Sequence, residues 1–188
     1  MSMRPVLVFD ALGTLLDTGV FDPLRVSDLV QRAMTATILD AYRPFEELAV
    51  EAIGAEAPAL MRALPPYPEV PEALAMLQRA GYAMYVLTNG SRESTRVALA
   101  NAGIAQYFRA VYSAEAIEKY KPHPAVYRTT LVRMNVAPED AIMIAAHAWD
   151  VAGARNHGMR AELVERPGRD LRTVAEALAF FPVTSGLA

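Results

Sequence analysis

No cysteine occurs among the 188 residues, which excludes disulfides, thiolate metal ligands and thiol nucleophiles. No apolar run approaches the length of a membrane span. From Met1 to Pro5 the chain reaches an acidic residue after only four further apolar positions, too short for a signal-peptide core. Neither charge is in excess: 18 Lys and Arg stand against 21 Asp and Glu, a net charge of −3. Bulk electrostatics therefore points to no nucleic-acid partner and no acidic membrane. Internal repeats and low-complexity tracts are absent too. What remains is an ordinary globular balance, with 53 % hydrophobic and 21 % charged residues. One sizeable core with a small insertion, in the cytoplasm, is the expectation.

The most informative stretch is Val6-Leu7-Val8-Phe9-Asp10-Ala11-Leu12-Gly13-Thr14-Leu15. A short Val-rich apolar run suits a strand buried on both faces. Asp10 then sits at the carboxyl end of that strand, where open α/β sheets bind ligands, and Gly13 lets the backbone turn sharply after it.

The texture then changes. Leu24, Leu29, Val30, Ala33, Met34, Thr37 and Ile38 keep helical spacing. So do Phe45, Leu48, Ala49, Ala52 and Ile53, with Pro44 near that helix's start. Ala57 to Leu64 adds a further turn or two, and Pro65, Pro66 and Pro68 make a return linker. Residues 17–68 read as a compact helical insertion, leaving 1–16 and 69–188 as the core. From Glu69 onward, helices closed by Gly81, Gly103 and Gly158 alternate with strands at 83–87, 110–113, 141–144 and 160–164. Such alternation with short links implies an α/β fold, a parallel sheet with helices on both faces.

Strand ends carry complementary polar groups: Asp10 and Thr14, then Thr88 and Asn89, then Lys121, then Asp150. A nucleophilic carboxylate needs a hydroxyl or amide to hold its spare oxygen and a cation to support charge in the transition state. Thr88 can supply the first and Lys121 the second, while Asp150 can hold the lysine and orient a water.

With these residues in place the chain resembles the haloacid dehalogenase superfamily. Asp10 to Leu15 matches its first motif, Thr88-Asn89-Gly90 its second and Lys121-Pro122 its third. His147-Ala148-Trp149-Asp150-Val151-Ala152-Gly153-Ala154 looks most like the 2-haloacid dehalogenase branch. Tyr127 falls where that branch has a functional tyrosine. The resemblance implies a Rossmann-like core with a helical cap after the first motif, and covalent catalysis through an aspartyl ester. Asp10 would attack the α-carbon of a short 2-haloalkanoate and expel halide. Water would then attack the ester's carbonyl carbon, releasing a 2-hydroxy acid of inverted configuration.

By the same resemblance Lys121 stabilises Asp10, and Asp150 positions Lys121 and the water. Thr14, Thr88 and Asn89 hold the Asp10 and substrate carboxylates, Tyr127 joins the substrate site, and His147 orients the water. Trp149 reads as a wall. The branch takes its halide on a cap arginine, for which Arg25 is the nearest match, with Arg32 and Arg43 further off. No cofactor is implied, and relatives are often homodimers. The chain departs from the branch at Leu12, where an aromatic residue is usual, at Ala145, where a serine is common, and in its shortened cap.

The superfamily's phosphatases place a second aspartate two residues after the nucleophile and pair acids in the fourth motif to bind magnesium. Here those positions are Leu12 and Ala146. Asp10, the Leu12 carbonyl and Asp150 would be the magnesium ligands, a poor set for an octahedral oxygen-loving ion. A magnesium-dependent small-molecule phosphatase, or a non-catalytic relative that binds a small carboxylate or a partner protein, stays open as an alternative.

Overall fold

The computed structural model describes residues 4–166 and 168–180; the outer ends of the expected core, including the Met1 to Met3 start of the leader reading, lie outside them. Its strands are β1 (Val6–Phe9), β2 (Met84–Thr88), β3 (Ala110–Ser113), β4 (Ala141–Ala145) and β5 (Arg160–Leu163). They form one parallel sheet in the order β3-β2-β1-β4-β5, with Phe9 opposite Val86 on one side and Ile144 on the other. The chain moves outward from β1 to β3, then crosses back over β1 to β4 and β5. That reversal puts a crevice beside the carboxyl end of β1. Asp10 is the next residue.

Three helices, α1 (Pro23–Ile38), α2 (Phe45–Ala52) and α3 (Ala57–Arg62), follow β1. α1 starts where Asp22 accepts the Leu24 N–H at 2.9 Å, with proline in its first turn. Its buried stripe is Leu29, Ala33 and Ala36. Leu24 and Ile38, expected on that face, are 79 % and 81 % exposed. At 3.6 residues per turn Leu24 lies about 180° from Ala33, and Ile38 about 180° from Leu29. The apolar pattern had merged two faces into one.

The insertion leaves and returns at a single point. Asp17 N–H donates to the Pro65 carbonyl at 2.8 Å, and Tyr67 N–H to that of Leu15 at 3.1 Å. α4 (Val70–Arg79), α5 (Arg92–Asn101), α6 (Pro124–Met134), α7 (Ala148–Arg155) and α8 (Leu171–Phe180) complete the alternation. α3 is tied to α5, where Arg62 bonds Ser94 and Asn101 bonds the Arg62 carbonyl. No described helix is long and apolar enough to cross a membrane.

The largest wholly buried side chains include Tyr120, Tyr127, Phe9 and Lys121. A buried ammonium costs several kcal/mol unless it is paired and hydrogen-bonded. Its partners define the site.

Candidate active site

Lys121 Nζ lies 2.8 Å from Asp10 Oδ1, 2.6 Å from Asp150 Oδ2 and 2.9 Å from the Leu87 carbonyl oxygen. Three protons meet three acceptors, so the buried cation is satisfied. The Tyr127 hydroxyl donates to Asp150 Oδ1 at 2.7 Å. The Thr14 hydroxyl donates to Asp10 Oδ2 at 2.8 Å and accepts the Ala146 N–H at 2.9 Å.

These contacts set the charges. Burial pushes Asp10 up, but the Lys121 charge, then His147, and the hydrogen bonds from Lys121 and Thr14 outweigh it and hold Asp10 below the ordinary carboxylate range. It is ionised, as a nucleophile must be. Asp150 is pushed up: burial and the nearby Asp10 charge exceed the pull of Lys121. Lys121 is held above its ordinary value because its two carboxylates outweigh its burial. Burial and the Asp150 charge raise Tyr127, which stays a phenol that can donate.

Local sequence explains the positions. Gly13 adopts φ +77°, turning the chain back beneath Asp10. Arg166 clamps this turn: Nη2 donates to the Thr14 carbonyl at 2.8 Å and Nε to Glu69 at 2.8 Å, with the guanidinium 3.7 Å from the Tyr67 ring centre. Asp150 sits in the first turn of α7, where a negative charge is favoured. A turn later, a Cβ on Gly153 would lie 2.5 Å from Tyr127 Oη and 2.9 Å from Pro122 Cβ. Gly153→Ala is therefore expected to destabilise the protein by about 1–3 kcal/mol and to lower turnover as Tyr127 is driven off Asp150. Urea denaturation and a rate assay on one sample check this; unchanged values would mean that the contact relaxes freely.

A cavity of about 60 Å³ opens beside Asp10, room for about four water-sized groups. Its core side is Asp10, Leu12, Thr88, Asn89, His147 and Trp149; the insertion adds Thr18, Phe21, Val26, Leu29, Val30, Ala33, Phe45, Ile53 and Met61. The His147 ring stacks on Trp149 at 5.2 Å and 9°, so Trp149 is a wall as expected. Leu12 serves as one too.

Asp10, Thr88, Asn89 and His147 thus reach the cavity, while Thr14, Lys121, Tyr127 and Asp150 stand behind Asp10. Several expectations change. Tyr127 is wholly buried against Asp150 and touches no substrate space. Both Asp150 oxygens are taken by Lys121 and Tyr127, so Asp150 holds the lysine but faces no water in the cavity. The Thr88 hydroxyl accepts the Gly90 N–H at 3.0 Å, and it is Thr14 that holds Asp10. Asn89 Oδ1 accepts the Lys121 N–H at 2.8 Å, anchoring that loop.

Arg25, expected to take the halide, donates instead to the Ile53 carbonyl at 2.8 Å on the exposed side of the insertion and does not line the cavity. Arg32 is held by Asp28 and Glu51, and Arg43 by Glu47 and Glu51. Among the described residues no arginine or lysine lines the cavity.

The conditional magnesium set does not fit. Lys121 already bridges Asp10 and Asp150, and the Leu12 carbonyl faces His147 Nε2 at 3.1 Å. A divalent cation would have to displace an ammonium from two carboxylates. Among the described residues no group of three or more His, Asp or Glu could hold a metal ion.

Sequence reasoning missed Arg166, which lies after β5 in a stretch with no motif signal. It also missed the insertion's lining residues, whose helical spacing marks an apolar face but not what that face meets.

A parallel sheet with a buried carboxylate–ammonium–carboxylate cluster at the carboxyl end of its central strand defines a Rossmann-like α/β enzyme. The profile of the haloacid dehalogenase-like hydrolases matches residues 27–164, and the chain belongs to that family. The match begins after Asp10, whose place in the site rests on geometry. (S)-2-haloacid dehalogenase 4A of Burkholderia cepacia is 30 % identical over 192 residues, 86 % of this chain and 83 % of that protein. The structure of L-2-haloacid dehalogenase from Xanthobacter autotrophicus superposes with a TM-score of 0.79 at 26 % identity, over 98 % of this chain and 85 % of that one. A phosphoserine phosphatase of Thermus thermophilus is 40 % identical over 106 residues, 56 % of this chain and 43 % of that protein.

Proposed function

We propose that this enzyme hydrolyses short 2-haloalkanoic acids to 2-hydroxy acids through an ester on Asp10. The observation that carries this reading is an ionised Asp10 at the cavity wall with a leucine, Leu12, two residues on. A phosphate ester needs a proton on its leaving alkoxide, and Leu12 has none to give; a halide leaves as a stable anion. Similarity to dehalogenases over most of both chains supports the same choice. The phosphatase match covers little more than half of this one.

In this reading Asp10 Oδ1 is committed to Lys121 from the core side. Oδ2 carries the Thr14 hydroxyl and lies 3.6 Å from His147 at the cavity wall. Oδ2 attacks the α-carbon in line and halide departs towards the apolar face of the insertion. Confinement in a small cavity supplies the orientation. Asn89 keeps its amide NH₂ for the substrate carboxylate, since its oxygen is bound to Lys121. Water then attacks Asp10 Cγ, and Lys121 supports the oxyanion on Oδ1. No cofactor is required.

Residues 17–68 act as a small cap on a core of 1–16 and 69–188. The enzyme works in the cytoplasm. It forms a homodimer, as relatives of this branch often do. Halide release from each enantiomer of 2-chloropropionate, beside phosphate release from an aryl phosphate, tests the reading with and without magnesium. Metal-independent halide release from one enantiomer is expected. Magnesium-dependent phosphate release alone would overturn it.

A further inference from the structure

Ester hydrolysis on Asp10 ends with Oδ2 leaving as the product's hydroxyl oxygen, and that oxygen needs a proton. Lys121 spends its three protons on Oδ1, Asp150 and the Leu87 carbonyl. The Tyr127 hydroxyl is bound to Asp150. The Thr14 hydroxyl touches Oδ2, but it is no stronger an acid than the alcohol being formed. Among the described residues that line the cavity, Asp10 and His147 are the only titratable side chains.

His147 is held in place for this task. Its ring stacks on Trp149, and Nε2 lies 3.1 Å from the Leu12 carbonyl oxygen and 3.6 Å from Asp10 Oδ2. A carbonyl only accepts, so Nε2 carries a hydrogen. Gly13 leaves the space: a Cβ there would stand 3.2 Å from Nε2. Unlike the hydrogens of Lys121 and Tyr127, which are held by buried charged partners, the Nε2 hydrogen rests on a neutral carbonyl and turns from it to Oδ2, a gap that catalytic contacts close in the reacting complex.

From this geometry we infer that His147, in its protonated form, is the general acid of the second step, an assignment that rests on the dehalogenase reading above. Water adds through its oxygen to Asp10 Cγ and gives one proton to solvent. The Cγ–Oδ2 bond breaks, and Oδ2 leaves on the substrate carbon and takes the Nε2 proton as the product hydroxyl. The water's other hydrogen stays on the re-formed Asp10 carboxyl until that ionises, and solvent reprotonates the imidazole.

His147→Gln tests it, because a glutamine N–H can still bond the Leu12 carbonyl but cannot hand over a proton. With the 2-chloropropionate enantiomer that the wild type turns over, the variant should release about one halide per enzyme in a burst. Steady turnover should then run at least about 100-fold below wild type. Intact-protein mass should rise by one carboxyethyl group, mapped to the peptide holding Asp10. Turnover within threefold of wild type without the adduct would overturn the assignment, and so would loss of the burst, which would move His147 to the first step. If wild-type enzyme gives neither halide nor an Asp10 adduct with any 2-haloacid, the dehalogenase reading fails and this assignment with it.

Discussion

Asp10→Asn is expected to lower halide release by at least about 10⁴-fold, because the amide oxygen is a far poorer nucleophile than a carboxylate and, among the described residues, no second carboxylate lines the cavity. The other buried acid, Asp150, is committed on both oxygens to Lys121 and Tyr127. The substitution keeps the side chain's shape and gives up one of its two accepted hydrogen bonds, from Lys121 or Thr14; Asp150 still pairs with Lys121, so the fold should hold. Halide titration under single-turnover conditions checks it, with circular dichroism to confirm folding. A variant retaining a tenth of wild-type release would mean that another group attacks, and would remove the reason for Lys121 to lie where it does.

Lys121→Met should cost about 3–5 kcal/mol of stability at neutral pH, the usual penalty for stranding buried charge, and should abolish turnover. The methionine fills the space but leaves Asp10 and Asp150 facing each other without the cation between them. The effect has a direction in pH. In the wild type, Asp10 is held below its unfolded value, so it contributes stability that is present above the unfolded carboxylate range and lost as pH falls through the folded value. In the variant both carboxylates lack compensation, their folded values rise, and stability should recover as pH falls. Urea midpoints across an acid-to-neutral series measure this. Adding Asp150→Asn should restore most of the stability without restoring activity. A variant as stable as wild type at neutral pH would show that the triad is not ionised as described.

Much of the fold was legible because its signals are local. Val6 to Phe9 and Ala141 to Ala145 are unbroken apolar runs, as strands buried on both faces require. Helix ends were marked by Gly81, Gly103 and Gly158, each with positive φ. The α1 face was misread because a helix with apolar residues on two sides does not say which side has a neighbour. Leu24 and Ile38 are as hydrophobic as Leu29, but α2 packs on one side only.

The site divides in the same way. By itself the sequence determined the parts: an aspartate after the first strand, a lysine after the third, an aspartate in the fourth motif, and a leucine and an alanine where a phosphatase would need acids. Those identities set the kind of chemistry, since proton donors and metal ligands are properties of side chains. Only the tertiary structure decided the roles. It put Tyr127 behind Asp150, gave Asp10 to Thr14 in place of Thr88, turned Arg25 to the surface and brought His147 to Oδ2. Apart from the Thr14 contact, which is four residues from Asp10, those outcomes depend on distances between residues far apart in the chain, 137 positions from Asp10 to His147. Strand order and cap packing set such distances, and no local pattern of residues encodes them.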